Sequence, residues 1–339
     1  MRFGVLTGGG DSAGINDFLY FLAQRLYREG HNLIGFENSW EGLILNKARE
    51  LDHNQLEAQR FTPGTLLGTA RRNPIKEGKT NDVLATLEDR GVDVLIAMGG
   101  DDTLGVANEL AKQGLTVIGV PQTIDDDLRG TERSLGYATA VKMSADAVNA
   151  TVNSNIAHDR DMIVEAMGRD AGWLALAIAI NTPACAVMVP EGRMDLDEMI
   201  EAMQNYKRRT GKAALAVVAE GIELESFDRS TAARDAFGNI AYEGVSHGVA
   251  AEYKKATGRS PRVQVLGYLM RGGTPVPADV ELAAGFANKA VDLALAGRTG
   301  EMVGLAGKEI KSQPLADVIG VKKTIPADVL SEKLKLLAL

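Results

Sequence analysis

Residues 119–128 read Gly-Val-Pro-Gln-Thr-Ile-Asp-Asp-Asp-Leu, and they place three consecutive carboxylates after a short apolar run at 116–120. A short apolar run bounded by turn residues predicts a buried strand. Adjacent carboxylates repel one another, so a fold tolerates them where a metal, another cation or proton chemistry uses their charge. Taken alone, the segment is equally compatible with a solvated acidic turn.

Short apolar runs ending near glycine or an acidic residue recur along the chain, separated by amphipathic segments. This alternation is typical of mostly parallel sheets covered by helices. Predicted strands lie at 3–6, 33–36, 92–98, 116–120, 162–166, 186–189, 215–219 and 263–269, and predicted helices include 16–28, 103–112, 139–153, 196–207 and 278–295. Such sheets bind ligands at the carboxyl ends of their strands. Residues 227–239 are predicted to form a surface excursion.

Composition limits the class of protein. With 339 residues, of which 45% are hydrophobic, the chain can form two packed cores. A net charge of -8 and no basic run beyond 207–209, the expected end of a helix, argue against nucleic acid as a partner.

Cys185 is the single cysteine, is predicted to be buried, and cannot form an intrachain disulfide. The longest apolar stretch, 173–180, is too short to cross a membrane, and no signal peptide is recognisable. We therefore expect a soluble cytoplasmic protein.

A glycine-rich motif, Gly-Gly-Gly-Asp-Ser-Ala-Gly at residues 8–14, follows the first predicted strand. Glycine allows backbone N–H groups to approach a phosphate closely. The motif also fits the dinucleotide-binding fingerprint, which requires an acidic residue at the end of the second strand. Glu29 precedes that strand and Glu37 comes late, so we favour a phosphate site over a dinucleotide site.

A second glycine-rich motif, Met-Gly-Gly-Asp-Asp-Thr at residues 98–103, follows another predicted strand. Asp101 should therefore emerge at the ligand edge of the sheet. Asp102 has two interpretations, which both stay open: a side chain facing a ligand, or the N-cap of the following helix.

The motifs together resemble the phosphofructokinase family. That family has Gly-Gly-Asp turns, a Thr-Ile-Asp-Asn-Asp loop and a Met-Gly-Arg-x-x-Gly-Trp segment in this order, and this chain has Met-Gly-Arg-Asp-Ala-Gly-Trp at 167–173. The resemblance extends over almost the whole chain. It implies an α/β fold of two Rossmann-like three-layer domains with mostly parallel sheets and the active site in the cleft between them. The implied phosphoryl-donor domain covers 1–137 plus about 264–308, and the sugar-phosphate domain covers 138–263 plus about 309–339.

The resemblance also implies Mg²⁺-dependent transfer of a phosphoryl group to the 1-hydroxyl of fructose 6-phosphate. Asp125 would be the base that accepts the hydroxyl proton, assisted by Thr123 and Asp127. Gly9 and Arg169 would contact the transferred phosphoryl group. Asp101 would be the Mg²⁺ ligand, since Mg²⁺ prefers one or two carboxylates together with phosphate oxygens.

The implied sugar-phosphate site contains arginines whose forked donors suit a phosphate dianion. Its members are Arg160, Met167, Gly168, Arg169, Glu220, Arg262, Tyr268 and Arg271. In the family, the counterparts of Arg160 and Arg262 come from a neighbouring subunit, so a homodimer or homotetramer is implied. The segment 266–275, Leu-Gly-Tyr-Leu-Met-Arg-Gly-Gly-Thr-Pro, resembles the family's Leu-Gly-His-x-Gln-Arg-Gly-Gly-x-Pro. Because Tyr268 replaces the histidine and Met270 the glutamine, the acceptor could instead be a related sugar such as sedoheptulose 7-phosphate.

The donor is the open question. The implied donor site comprises Gly9, Arg71, Arg72, Asp101, Asp102, Thr103 and Gln122. ATP-dependent members usually have glycine at the position of Asp102, whereas pyrophosphate-dependent members usually have aspartate there and lysine at the position of Gln122. An aspartate fills the space of a nucleotide's α-phosphate and repels it, so we predict pyrophosphate, with Arg71 and Arg72 supplying compensating charge. ATP is the alternative.

Another departure is Asp126, where the family has asparagine. An added negative neighbour should disfavour the ionised form of Asp125 or draw in another cation. Together with the changes at 122 and 268, this departure keeps a third reading open, a weakly catalytic regulatory paralogue.

Overall fold

The computed structural model describes residues 1–192, 194–224 and 244–337, so the excursion predicted at 227–239 lies outside the described residues. The strands are β1 (Arg2–Thr7), β2 (Asn32–Phe36), β3 (Ala48–Glu50), β4 (Val94–Gly99), β5 (Val117–Pro121), β6 (Met162–Ala166), β7 (Ala186–Met188), β8 (Leu215–Ala219), β9 (Arg262–Val265), β10 (Glu301–Ala306) and β11 (Glu309–Pro314). The helices are α1 (Ile15–Arg28), α2 (Trp40–Ile44), α3 (His53–Ala58), α4 (Thr80–Asp89), α5 (Asp101–Lys112), α6 (Tyr137–Ala157), α7 (Trp173–Ile180), α8 (Leu196–Thr210), α9 (Val245–Thr257), α10 (Pro277–Leu295) and α11 (Ala327–Leu334).

The chain divides into two compact units. The first comprises Met1–Ile124, Leu128–Thr139 and Arg271–Lys322. The second comprises the described part of Asp125–Asp127, Ala140–Met270 and Lys323–Leu339. The three acidic residues of the loop at 125–127 thus belong to the second unit, although the residues on either side of them belong to the first.

The first unit contains a seven-stranded sheet in the order β11-β10-β5-β4-β1-β2-β3. The inner strands are parallel, and the two edge strands β3 and β11 pair antiparallel with their neighbours. Strand β4 is buried along its whole length, because helices cover both faces of the sheet. Residues of α1 and α10 form one core layer with the sheet, and residues of α4 and α5 contribute to the other.

The second unit contains a four-stranded parallel sheet in the order β7-β8-β6-β9. Helix α7 contacts three of its strands and packs on α11, while α8 and α9 pack on each other and on the sheet. Strands β6, β7 and β8 are fully buried, as their continuous apolar runs predict. The predicted α/β class with mostly parallel sheets is confirmed.

Two features differ from the sequence-based expectation. The strand predicted at 263–269 ends at Val265, which pairs with Glu165 of β6, and a 3-10 turn follows at Gly267–Arg271. The segment 309–322, expected in the sugar-phosphate domain, belongs to the first unit, because β11 pairs along its whole length with β10.

The basic triplet 207–209 lies in the last turn of α8, as predicted. Among the described residues, no helix is both long and apolar enough to cross a membrane.

Candidate active site

The carboxyl ends of β1, β4 and β5 meet at one edge of the first unit's sheet, because these strands are neighbours and parallel. Backbone hydrogen bonds join the loops that follow them. Gly8 N donates to Met98 O at 2.9 Å, and Gln122 N donates to Gly99 O at 3.0 Å. The two glycine-rich turns and the start of the Thr-Ile-Asp-Asp-Asp loop therefore form one continuous edge within this unit.

Gly9 lies half-buried in the turn at this edge with φ 82, a left-handed conformation that favours glycine. Its carbonyl accepts a hydrogen bond from Thr69 Oγ1 at 2.7 Å, which fixes the turn against the segment that leads to Arg71. Thr103 is buried against Gly8 and Gly99 and closes the turn from below. The backbone geometry suits close approach of a phosphate, the role predicted for Gly9.

Helix α5 begins at Asp101, with Gly100 as its N-cap and no side-chain capping bond. The N-cap interpretation of Asp102 is therefore wrong: the backbone becomes helical before this residue, which lies in the first turn. Both Asp101 and Asp102 are favoured there by the positive end of the helix dipole. One carboxylate oxygen of Asp101 accepts a hydrogen bond from Gly320 N at 2.8 Å.

The described residues contain no group of three or more histidine, cysteine or acidic side chains that could hold a metal ion by themselves. Mg²⁺ commonly binds through one or two carboxylates and takes its remaining ligands from substrate phosphates and water. The half-buried carboxylate of Asp101, at the edge of the glycine-rich turns, fits an ion that arrives with a phosphate-containing donor.

Gln122 and Arg271 support the glycine-rich loop. Gln122 is 1% exposed, and its Nε2 donates to Gly10 O and to Ser12 Oγ, both at 2.9 Å. Arg271 Nη1 donates to Asp11 O at 2.9 Å. Its guanidinium lies so close to Gly10 that a Cβ at this position would be 2.1 Å from Nη1. Gln122, predicted to face the donor, is thus buried beneath the loop, and Arg271, predicted to bind the sugar phosphate, contacts the loop of the first unit.

The two arginines of the predicted donor site differ in their surroundings. Arg71 is exposed. Arg72 forms an ion pair with Glu77, whose carboxylate also accepts a hydrogen bond from Asn73 N at 3.1 Å. In this arrangement the charge of Arg72 is already matched within its own loop.

In the second unit, the residues after β6 and β8 form another cluster at the carboxyl edge of the sheet. Glu220 Oε1 accepts hydrogen bonds from Gly168 N at 3.2 Å and from Arg169 N at 2.9 Å. Arg169 has φ 52, and such left-handed non-glycine residues are frequent at functional sites. Met167 N donates to the buried Met270 sulfur at 3.4 Å, so Met270 takes a supporting position beneath the motif.

The acidic loop of the second unit lies beside cations. Asp125 Oδ2 is 4.0 Å from Arg169 Nε, and Asp126 Oδ2 is 3.0 Å from Lys323 Nζ. Both carboxylates are buried, at 7% and 2% exposed. Lys323 N also donates to Asp127 O at 2.7 Å. Lys323 is a cation beside Asp126, which is one of the two outcomes expected from the replacement of asparagine by Asp126. Thr123, the first residue of the motif, belongs to the first unit, where its carbonyl accepts a hydrogen bond from Ser134 Oγ at 2.7 Å.

Burial, with the charge of Asp125 nearby, raises the pKa of Glu220 from 4.5 to about 7. The hydrogen bonds from Gly168 and Arg169 oppose this shift without cancelling it. Glu220 therefore exchanges a proton near neutral pH. Its ionised carboxylate accepts hydrogen bonds, and its protonated form can also donate one.

Glu220→Gln is expected to raise the free energy of unfolding at pH 8 by about 3 kcal/mol and to change it little at pH 4. Because the folded-state pKa lies above that of the unfolded chain, ionisation of Glu220 costs stability. This cost is absent below about pH 4.5, grows as the pH rises, and is complete above about pH 7. Denaturant unfolding at both pH values measures the difference, with the exposed Glu332→Gln as the matched control. Equal effects of Glu220→Gln at both pH values would contradict the shift.

The predicted sugar-phosphate residues lie at opposite ends of the second unit's sheet. Arg262 begins β9 opposite Met162, the first residue of β6, and Arg160 precedes that strand. Both arginines are exposed. From its start, β6 runs roughly 13 Å, at about 3.3 Å per residue, before it reaches the edge that carries Arg169. Within one chain, these two arginines therefore do not join the cluster around Glu220. Tyr268 follows β9 at the other end and is 82% exposed.

Sequence reasoning missed three supporting residues. Ser12 accepts a hydrogen bond from Gln122, and Thr69 binds Gly9 O. Lys323 contacts the acidic loop with both its backbone and its side chain. Ser12 lies within the glycine-rich motif at residues 8–14, so its membership in that motif was a signal for a supporting role. Thr69 and Lys323 lie outside the motifs that carried the resemblance, and nothing in their local sequence indicates these contacts.

Known proteins resemble this chain over most of its length. The family described as Phosphofructokinase matches residues 2–294. The pyrophosphate–fructose 6-phosphate 1-phosphotransferase of Amycolatopsis methanolica is 39% identical over 334 residues, which cover 97% of each chain. The ATP-dependent 6-phosphofructokinase of Mycobacterium tuberculosis (strain ATCC 25618 / H37Rv) is 37% identical over 332 residues, which cover 96% of each chain. Relatives named for different donors are thus similar to this chain to nearly the same degree.

Solved structures show the same fold. The pyrophosphate-dependent phosphofructokinase from Nitrosospira multiformis superimposes with a TM-score of 0.86 at 20% identity, covering 99% of this chain and 91% of that one. The corresponding enzyme from Marinobacter aquaeolei gives a TM-score of 0.82 at 21% identity, covering 100% and 92%. With the family match across residues 2–294, these likenesses lead to one conclusion: the chain belongs to the phosphofructokinase family.

Proposed function

We propose that this phosphofructokinase is a cytoplasmic, Mg²⁺-dependent enzyme that transfers a phosphoryl group from pyrophosphate to the 1-hydroxyl of fructose 6-phosphate. The observation that carries the choice of donor is Asp102 in the first turn of α5, directly beyond the turn at Gly99 and Gly100. In ATP, a third phosphate extends beyond the two that pyrophosphate also has. A carboxylate beside that α-phosphate opposes ATP by charge and by volume.

The size of this opposition can be estimated. Two unit negative charges about 4 Å apart repel by about 4 kcal/mol at an effective dielectric constant of about 20, and by about 1 kcal/mol in bulk water. Asp102 is half-buried, so its repulsion of an α-phosphate falls between these limits. Even the smaller value would disfavour ATP several-fold, since each 1.4 kcal/mol corresponds to tenfold.

ATP is the second candidate, and a specific observation favours it. Pyrophosphate carries more charge per atom than a nucleotide and needs cations around it, yet Gln122 brings none and Arg72 is paired with Glu77. A turnover assay with fructose 6-phosphate, Mg²⁺ and either pyrophosphate or ATP separates the two. We expect a higher kcat/KM for pyrophosphate, and efficient turnover of ATP alone would overturn the proposal.

In the proposed reaction, Asp125 accepts the proton of the sugar's 1-hydroxyl as this oxygen attacks the phosphoryl group. The position of Arg169 supports a role for it beside the transferred group, since its guanidinium lies near Asp125. Gly9 offers its backbone N–H to the same group, and Glu220 binds a sugar hydroxyl. Bound Mg²⁺, held by Asp101, would neutralise charge on the donor's phosphate oxygens.

We propose that the acceptor site is shared between two subunits. Arg160 and Arg262 are exposed at the amino ends of β6 and β9, whereas Arg169 and Glu220 lie at the carboxyl edge. Exposed arginines at this place are available to a neighbouring copy. They would bind the 6-phosphate of the sugar that the neighbouring copy holds. The proposed enzyme is therefore a homodimer or homotetramer.

Arg262→Ala is expected to raise the KM for fructose 6-phosphate on the order of 10- to 100-fold, because a charge-assisted hydrogen bond contributes about 1.5–3 kcal/mol. The KM for the donor should change little, since the arginine binds a group remote from the reacting hydroxyl. Steady-state kinetics with each substrate varied in turn provide the measurement. Arg28→Ala, an exposed arginine of the first unit, removes the same charge as a control.

Two results would contradict the shared site. Equal effects of Arg262→Ala on both substrates would show that the arginine does not belong to the acceptor site. A dilution series that yields a fully active monomer would show that one chain is sufficient.

A further inference from the structure

Lys323 joins three segments of the second unit. Its backbone N–H donates to Asp127 O at 2.7 Å, and its carbonyl accepts a hydrogen bond from Trp173 Nε1 at 2.8 Å. Its ammonium group lies 3.0 Å from Asp126 Oδ2 and 5.7 Å from the centre of the Trp173 ring. One residue thus connects the acidic loop, the end of the Met-Gly-Arg-Asp-Ala-Gly-Trp motif and the segment that precedes α11.

Asp126 needs a partner of this kind. The residue is 2% exposed and has φ 53, a left-handed conformation that aspartate and asparagine adopt more readily than most side chains. An asparagine in this place, as the family has, is neutral. A buried carboxylate instead requires a cation, because an unpaired charge in a protein interior is strongly unfavourable.

The neighbouring charges show why this pairing matters for the reaction. Asp125, directly before Asp126, lies 4.0 Å from Arg169, and its charge contributes to the raised pKa of Glu220. Without Lys323, the buried carboxylate of Asp126 would lose the cation beside it, and a rearrangement of Asp126 would displace its neighbour Asp125. The Lys323 side chain is itself only 20% exposed, so solvent screens its interaction with Asp126 weakly.

We infer that Lys323 is a positioning residue for phosphoryl transfer: it neutralises Asp126 and thereby holds the Asp125–Asp127 loop with Asp125 beside Arg169. This inference rests on the proposed role of Asp125 as the base. Lys323 acts through Asp126 and the loop backbone. The pair replaces the neutral asparagine of the family with two opposite charges, one from the loop and one from a segment far away in the sequence.

The test is a double-mutant cycle with Lys323→Met and Asp126→Asn, measured as kcat and KM of the full-length enzyme. Methionine keeps the aliphatic length against Trp173 and removes the charge. We expect Lys323→Met to lower kcat about 10- to 100-fold with a smaller change in KM, because the buried carboxylate of Asp126 loses its ion pair with Lys323. Adding Asp126→Asn removes that carboxylate and is expected to restore kcat at least tenfold over Lys323→Met alone, on the order of the coupling between contacting residues.

The controls separate charge compensation from stability. Lys335→Met removes an exposed lysine of the same C-terminal segment and should leave kcat unchanged. Lys323→Arg keeps the charge and should retain more activity than Lys323→Met. If Asp126→Asn gives no rescue, or if Lys323→Met keeps the wild-type kcat while only its melting temperature falls, Lys323 is purely structural and the inference is overturned. Asp125→Asn, measured in parallel, reports on the proposed base alone: full activity there combined with rescue in the cycle would reject the base and retain the charge coupling.

Discussion

Asp125→Asn is expected to lower kcat by roughly 10²–10⁴ while leaving the binding of fructose 6-phosphate nearly intact, the scale of a removed general base. The carboxylate acts chiefly in the transition state, where it accepts the hydroxyl proton, and contributes less to binding of the ground state. Asparagine keeps the size of the side chain and the hydrogen-bonding oxygen. Steady-state kinetics give kcat, and equilibrium titration with fructose 6-phosphate gives the affinity.

The control for this substitution is Asp328→Asn, an exposed aspartate in the first turn of α11. It makes the same chemical change in the second unit and should leave both kcat and affinity unchanged. Wild-type kcat in Asp125→Asn would mean that Asp125 is not the base. Asp127 would then be the first residue to test, followed by Asp126.

Asp102→Gly is expected to shift the ratio of kcat/KM for ATP to that for pyrophosphate toward ATP, on the order of 10-fold to 10³-fold. The substitution removes both the negative charge and the side-chain volume that, in the proposed donor site, would meet an α-phosphate. Since glycine also weakens the first turn of α5, Asp102→Ala and Asp102→Asn belong in the same series. Alanine keeps the helix, and asparagine keeps the volume without the charge, so the three variants separate the two contributions.

Gln122→Lys should affect the donor differently. The glutamine is buried against Gly10 O and Ser12 Oγ, and a lysine there would bring a positive charge beneath the glycine-rich loop without opening space for a nucleotide. We expect a lower KM for pyrophosphate and no gain with ATP. A wild-type enzyme that works well on ATP and ignores pyrophosphate, with no shift in Asp102→Gly, would remove Asp102 from the donor site.

The strand pattern predicted most of the fold because parallel strands buried on both faces are continuous apolar runs. The order of those runs predicted which loops follow strand ends, and therefore the placement of Gly9, Asp101 and Glu220 at the carboxyl edges of their sheets. The antiparallel pairing of β10 and β11 was missed, since β11 is a polar edge strand with no residue fully buried. Helix α5 begins at Asp101, two residues earlier than predicted, with Gly100 as its N-cap. Glycine has no side chain that could form a capping hydrogen bond, so the sequence did not indicate this start.

Side-chain partners were harder to predict than strand ends. The need for a cation near Asp126 could be predicted from the unusual carboxylate, but its identity could not, because Lys323 reaches the loop only through the tertiary fold. Likewise, Gln122 lies after a strand, as a ligand-facing residue would, yet its amide turns inward to the backbone of Gly10. Periodicity predicts on which face of an element a residue lies, whereas the direction of a long side chain in a loop depends on contacts that local sequence does not encode.

The chain contains two tryptophans, and each belongs to a different unit. Trp40 is 1% exposed in the core of the first unit. Trp173 is partly exposed, with its indole N–H bound to Lys323 O and a lysine ammonium group beside the ring. Tryptophan emission depends on the polarity and charge around the indole. The fluorescence of Trp173 should therefore respond to changes at Lys323 and the acidic loop. In Trp173→Phe, the remaining tryptophan fluorescence would come from Trp40 in the first unit.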